Sequence, residues 1–377
     1  MFESERLNKL FSFWSSDKDN EVLVGDILEG CIQSGELNAA LSFISGLPNN
    51  IRQQPLVAYK VGVLYLSTAQ YEDAEATFQS MHEQMPEQLT IVYNWAYSIY
   101  SQSHFSRAYE VALKIQEQWQ ECPEVMILLA RCEHALGDLE SAQKHLEMFL
   151  SFKGEHIEAQ GLLSLIYTDL ASYENGYKVS KSVLVAEPLQ LEACIAFVTC
   201  ALAIQKVDEV INVLEPALNA YSEVGRLWML KGELCMLESR FDDALSSLNK
   251  AVSLMPAHIG SWHLMAWSQI LIGEIESARE SFISALNIDR NFSESHGGLA
   301  VTQIMLNDTE SAKESTRRAL GLDAKGMAGR YAQSLLLERE GEAEKAKALI
   351  EQVLAEQTGR SALAYLPVLE KHLANNG

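Results

Sequence analysis

The chain has 377 residues, with 29 Lys+Arg against 51 Asp+Glu, a formal net charge of −22 and a 48% hydrophobic, 21% charged composition. That balance excludes wholesale disorder, and 8 prolines with 21 glycines exclude collagen-like and proline-rich classes. So negative a surface offers no broad basic stripe to displace counterions, which argues against nucleic acid and anionic membranes as partners and leaves a basic or largely apolar protein segment.

At the start, residues 1–20 carry Leu7, Leu10, Phe11 and Trp14, a short amphipathic pattern that predicts a capping helix. The opening Met1-Phe2-Glu3-Ser4-Glu5-Arg6 lacks the basic-then-apolar order of a signal peptide. No run approaches the roughly 18 apolar residues of a membrane span, so no membrane insertion is expected. Six cysteines form no C-x-x-C pair, which fits reduced thiols and a cytoplasmic location.

From residue 21 the chain repeats itself at one constant interval, the step from Ala40 to Ala74. Ala40, Ala74, Ala108, Ala142, Ala244, Ala278, Ala312 and Ala346 share one phase, and the same ruler passes through Gly176 and Val210. A second site twelve positions earlier reads Leu28, Gly62, Ala96, Ala130, Ser164, Val198, Gly232, Ala266, Ala300 and Ser334. Between the two lie turn signals at Gly35-Glu36, Gly137-Asp138, Gly273-Glu274, Asn307-Asp308 and Gly341-Glu342. Gly or Asn there takes the left-handed conformation that ends a helix, and an acidic residue suits the start of the next. Pro86, Pro188 and Pro256 share a later phase, where the second helix should stop. Each unit therefore reads as two short helices with apolar residues three and four apart, as in Trp228, Gly232, Cys235 and then Phe241, Leu245, Leu248, Val252. A lone hairpin of this size cannot bury its apolar face, so the units must stack.

The phase gives ten units in residues 21–360, starting near 21, 55, 89, 123, 157, 191, 225, 259, 293 and 327. It is weakest at Gly176 with Ser180 and at Val210 with Cys194, where a looser or bent stretch is expected. Residues 361–377, with Leu363, Leu366, Val368, Leu369 and Leu373, read as a C-terminal capping segment. Either end cap leaves homo-oligomerisation open.

In Trp228-x2-Lys231-Gly232-x2-Cys235, Ala244-x3-Leu248, Ala251 and Pro256 the chain resembles the tetratricopeptide repeat (TPR) family. The units at Ala58, Gly62, Tyr65, Ala74, Phe78, Met81, Pro86 and at Trp262, Ala278, Phe282, Ala285 are similar to the same pattern. The resemblance implies an all-α fold, a right-handed superhelical α-solenoid of about ten tandem helix-turn-helix repeats with terminal capping helices. It also implies that the first helix of each repeat lines a concave face. On that face Tyr59 and Val63, then Tyr93, Tyr97 and Tyr100, then Arg131 and His134, and later Met229, Met236, His263 and Trp267 form a candidate partner-binding groove. Some relatives grip a carboxylate terminus with Lys and Asn there. Glu29, Val63, Tyr97, Leu165 and Val301 stand where the Asn would be, so that mode is not expected.

No phosphate-binding loop, G-x-S-x-G elbow or metal-spaced Cys/His cluster appears, so no enzyme activity, cofactor or metal is expected. His258 and His263 straddle a predicted helix start. The expected function is a non-enzymatic protein–protein interaction scaffold that holds a peptide or amphipathic segment, anchored by apolar or aromatic side chains and flanked by basic residues. The alternative is an assembly or secretion-type chaperone that shields an apolar segment of its client.

Overall fold

The computed structural model describes residues 4–355. Among them are 22 α-helices, one 3-10 stretch and no strand. The chain divides into two compact units, Met1–Ile166 and Tyr167–Gly377.

The first unit holds α1 (Glu5–Ser16), α2 (Glu21–Ser34), α3 (Leu37–Ser45), α4 (Asn49–Arg52), α5 (Pro55–Ser67), α6 (Tyr71–Gln84), α7 (Leu89–Ser101) and α8 (Phe105–Ala112). A 3-10 stretch (Leu113–Gln118), α9 (Glu124–Leu136), α10 (Leu139–Lys153) and most of α11 (Ile157–Asp169) complete it. The second continues with α12 (Tyr173–Ala186), α13 (Leu191–Ala203), α14 (Val207–Ala220), α15 (Gly225–Leu237), α16 (Phe241–Leu254), α17 (Ile259–Ile272) and α18 (Ile275–Ile288). It closes, within the described residues, with α19 (Ser293–Met305), α20 (Thr309–Leu322), α21 (Met327–Arg339) and α22 (Ala343–Ala355). In each unit successive helices pair as hairpins, and the second helix of one hairpin packs on the first helix of the next, as α6 does on α7 and α16 on α17.

The turns explain the regularity. Gly35, Ala69, Ser103, Gly137, Ala171, Gln205, Ser239, Gly273, Asn307 and Gly341 all have positive φ, between 56° and 88°. Each follows the last by the same interval that separates the phased alanines. The amide that follows each one donates to a carbonyl five residues back: Glu36 to Cys31 at 2.9 Å, Gln70 to Tyr65 at 2.9 Å, Lys206 to Ala201 at 2.8 Å, Glu342 to Leu337 at 2.9 Å. This closes the helix end as a Schellman motif. The predicted acidic start is used as a true cap at Asp138 and Asp308, whose carboxylates accept from Ser141 N and Ser311 N at 3.2 Å. Glu36 and Glu274 make no such bond. Pro86, Pro188 and Pro256 stand just past the ends of α6, α12 and α16, as the phase predicted.

The phased alanines from Ala40 to Ala346 are fully buried. Small residues also admit rings. A Cβ on Gly62 would meet the Phe78 ring at 2.6 Å, and one on Gly232 would meet Leu248 at 2.5 Å. In the second unit a Cβ on Gly298 would lie 2.2 Å from Phe282, and one on Gly297 would lie 2.4 Å from the backbone nitrogen of Gly329. There α19 and α21 touch backbone to backbone.

Two departures from regularity fall in the first unit. α3 has 9 residues where α6 has 14. Beyond α8 the helix tightens to 3-10 geometry, and its Gln116 amide donates to His145 Nε2 at 3.3 Å while His145 Nδ1 donates to the buried Glu133 carboxylate at 2.7 Å. Around Gly176 and Val210, α12, α13 and α14 are complete helices, with Gly176, Ser180, Cys194 and Val210 all buried and Pro216 inside α14. Tyr177 accounts for this, stacking on Phe197 at 5.2 Å and donating to Glu209 at 2.8 Å. The predicted capping segment at 361–377 lies outside the described residues.

Candidate partner-binding face

The seven candidates of the first unit sit on three successive first helices. Tyr59 and Val63 come from α5, Tyr93, Tyr97 and Tyr100 from α7, and Arg131 and His134 from α9. Spacings of three and four keep them on one side of each helix. Tyr97 is 39% exposed and the other six are half-buried.

The tyrosines are held rather than loose. Tyr93 and Tyr97 stack with centroids 6.3 Å apart and planes 17° from parallel. Tyr59 Oη accepts from Asn94 Nδ2 at 3.3 Å, tying α5 to α7, and its ring meets Phe78 edge-on at 6.0 Å. Tyr100 leans on Phe105 at 5.4 Å, within its own hairpin.

Charges border the rings. Arg131 Nη2 pairs with Glu158 at 2.9 Å. Lys60 Nζ pairs with Glu29 at 2.7 Å, and this hydrogen bond and charge hold the Glu29 carboxyl below its ordinary range. Burial pushes the Tyr93 phenol above its ordinary pKa, and the Glu158, Tyr97, Cys122 and Glu124 groups push it further the same way. The face therefore presents phenol rings among carboxylates and the paired Arg131 and Lys60. It can make apolar, stacking and hydrogen-bonded contacts.

In the second unit the structure corrects the sequence reading. Met229, Met236, His263 and Trp267 are buried, Trp267 completely at 0% exposure. Trp267 packs edge-on to Phe282 at 5.4 Å. His263 lies between Phe282 and Phe292, with Nε2 2.7 Å from Ser295 Oγ, and burial lowers its pKa to about 4. The stripe spacing is as predicted, but in this unit it is packing. His258 is the N-cap of α17, accepting from Ser261 N at 3.1 Å.

The sequence reading passed over Asn94, Glu124 and Glu158. A signal was present, since Glu124 and Glu158 are themselves one repeat period apart, each at the start of a first helix. Among the described residues no group of three or more His, Cys, Asp or Glu side chains is placed to hold a metal, and no helix is long and apolar enough to cross a membrane.

Comparison with known proteins agrees with this architecture. No family model matches the chain. A stretch of 180 residues, 47% of the chain, is 26% identical to Tetratricopeptide repeat protein 8 of Caenorhabditis elegans. Another of 178 residues, 46% of the chain, is 25% identical to Protein FlbA of Caulobacter vibrioides. The chain spans 36% and 29% of the lengths of these two relatives. Among solved structures, a monomeric IFIT1 mutant with m7Gppp-AAAA superposes with a TM-score of 0.56 at 14% identity, over 90% of this chain and 91% of that one. A tetratricopeptide repeat protein from Parabacteroides merdae superposes with a TM-score of 0.50 at 15% identity, over 65% of this chain and 97% of that one. The stacked hairpins and their phased left-handed turns define an all-helical repeat protein of the solenoid class. Within that class the chain is similar to tetratricopeptide-repeat proteins.

Proposed function

We propose that the chain is a non-enzymatic scaffold that holds an extended or amphipathic segment of a protein partner along the first helices of its first unit. The observation that carries this reading is the tyrosine stripe. Tyr59, Tyr93 and Tyr97 keep accessible surface in a protein where the equivalent stripe of the second unit is buried. Aromatic side chains held by neighbours lose little entropy on binding and anchor interfaces well. The net charge of −22 favours a segment with basic flanks and disfavours nucleic acid. Six free, buried cysteines support a reducing compartment such as the cytoplasm. No observation favours the chaperone alternative over this reading.

The test is affinity capture from the native cell with the wild-type chain and with a Tyr93→Ala/Tyr97→Ala double variant of matched circular dichroism. Loss of specific partners from the double variant is the expected result. Equal retention by both would place the binding face elsewhere.

A further inference from the structure

On the basis of that reading, we propose that the Tyr93–Tyr97 pair is a seat for a cationic side chain, Arg or Lys, of the bound segment. Three observations converge on this small region of the first unit. The first is the rings themselves, near-parallel at 17°, with Tyr97 the more open to solvent. The face of a phenol ring attracts a cation through its quadrupole, and two rings side by side widen the target.

The second is the charge around the rings. Glu124 opens α9 and Glu158 lies in the first turn of α11, and both carboxylates act on the Tyr93 phenol. Of these, Glu158 already meets Arg131 at 2.9 Å. Glu124 is exposed, and among the described residues it forms no ion pair. One carboxylate whose charge reaches Tyr93 is therefore left to be matched by an incoming charge.

The third is that the protein treats rings elsewhere in this way. Lys206 Nζ lies 3.9 Å from the Tyr177 ring centroid, Lys114 Nζ lies 4.6 Å from Trp95 and Lys231 Nζ lies 5.7 Å from Trp228. Tyr93 and Tyr97 have no such internal cation among the described residues, although carboxylate charge acts on Tyr93. An anionic or phosphorylated segment would meet the unpaired Glu124 and be repelled, and a purely apolar one would leave Glu124 desolvated without a partner.

The test uses the full chain at physiological salt. A phage-displayed random dodecapeptide library is panned against it. Selected peptides are then synthesised with each Arg replaced by citrulline and each Lys by norleucine. Affinities are measured for the wild type, Tyr97→Ala, Glu124→Gln and, as a charge-matched control on α22, Glu344→Gln, with circular dichroism on every variant. The expected result is a basic residue at a fixed position in the selected peptides. Its neutral replacement should weaken binding about tenfold, with similar or smaller losses for Tyr97→Ala and Glu124→Gln and none for Glu344→Gln. Peptides that need Tyr97 but lose less than twofold on neutral replacement overturn the cationic seat and leave the binding face standing. Peptides indifferent to Tyr97→Ala, or a library with no binder that depends on it, overturn both. A Glu344→Gln loss equal to that of Glu124→Gln reduces the effect to general charge and overturns the seat.

Discussion

Tyr93 and Tyr97 of α7 and His263 and Trp267 of α17 stand at equivalent places, five repeat periods apart. In the first unit the pair is half-exposed and stacked upon itself. In the second it is buried among Phe282, Phe292 and Ser295. The same contrast runs through whole helices. Every residue of α13 from Ala193 to Leu202 is buried, whereas α5 and α7 alternate buried and accessible positions. One repeat pattern thus yields a first-helix stripe that keeps accessible surface in one unit and is consumed by packing in the other. Period alone identifies the stripe, and surroundings decide its use.

The sharpest way to break this comparison is to truncate both partners. Trp267→Ala should cost about 3–5 kcal/mol, the range for a large buried ring. Tyr97→Ala should cost less than about 1 kcal/mol, in keeping with a side chain open to water. Urea unfolding of the two variants would show it, and comparable losses would erase the distinction.

Acid should distinguish the pairs next. His263 has a folded pKa of about 4, depressed from its ordinary 6.5 by burial. Below pH 6.5 the unfolded chain takes up a proton that the folded chain refuses. The contribution is therefore complete above that pH and is lost as pH falls towards about 4, at up to roughly 1.4 kcal/mol per pH unit. Melting temperatures at pH 7 and pH 5 should differ less for His263→Gln than for the wild type. An unchanged difference would mean that this imidazole does not resist protonation.

A smaller effect sharpens the description of the second unit. Gly297→Ala places a methyl against the Gly329 backbone, which cannot swing aside as a side chain would. It should cost about 1–3 kcal/mol by overpacking. Gly137→Ala, in an open turn of the first unit, adds only the left-handed strain of about 1 kcal/mol. Conversely, Gln205→Gly and Ala171→Gly should each raise stability by up to about 1 kcal/mol, because φ there is 62° and 56°. Thermal denaturation of the four single variants gives the ranking.

Much of the hairpin architecture was legible because small residues must recur wherever two helices approach. Half of the turns were legible too, at Gly35, Gly137, Gly273, Asn307 and Gly341. The other half were hidden because Ala69, Ser103, Ala171, Gln205 and Ser239 adopt the same backbone without a residue type that announces it. Hairpin packing on both sides holds them there against their intrinsic preference. The middle repeats looked weak because Gly176 and Val210 break the alanine pattern, yet Tyr177 of α12 stacks on Phe197 of α13 and donates to Glu209 of α14, contacts that period cannot reveal. At the candidate face the tyrosines were found by spacing. The burial of Met229, Met236, His263 and Trp267 was not, because it depends on how tightly neighbouring helices close, and amphipathic spacing is silent on that.

The first described helix shields the hairpin that follows it. Leu7 and Trp14 of α1 lie over the first hairpin, Trp14 edge-on to Phe43 at 4.9 Å, while Leu7 occupies the space that a methyl on Gly30 would take at 2.6 Å. An apolar hairpin flank without such a cover is adhesive. By occupying that flank, α1 takes its apolar surface out of water, and Gly30 is the notch that lets the helix seat.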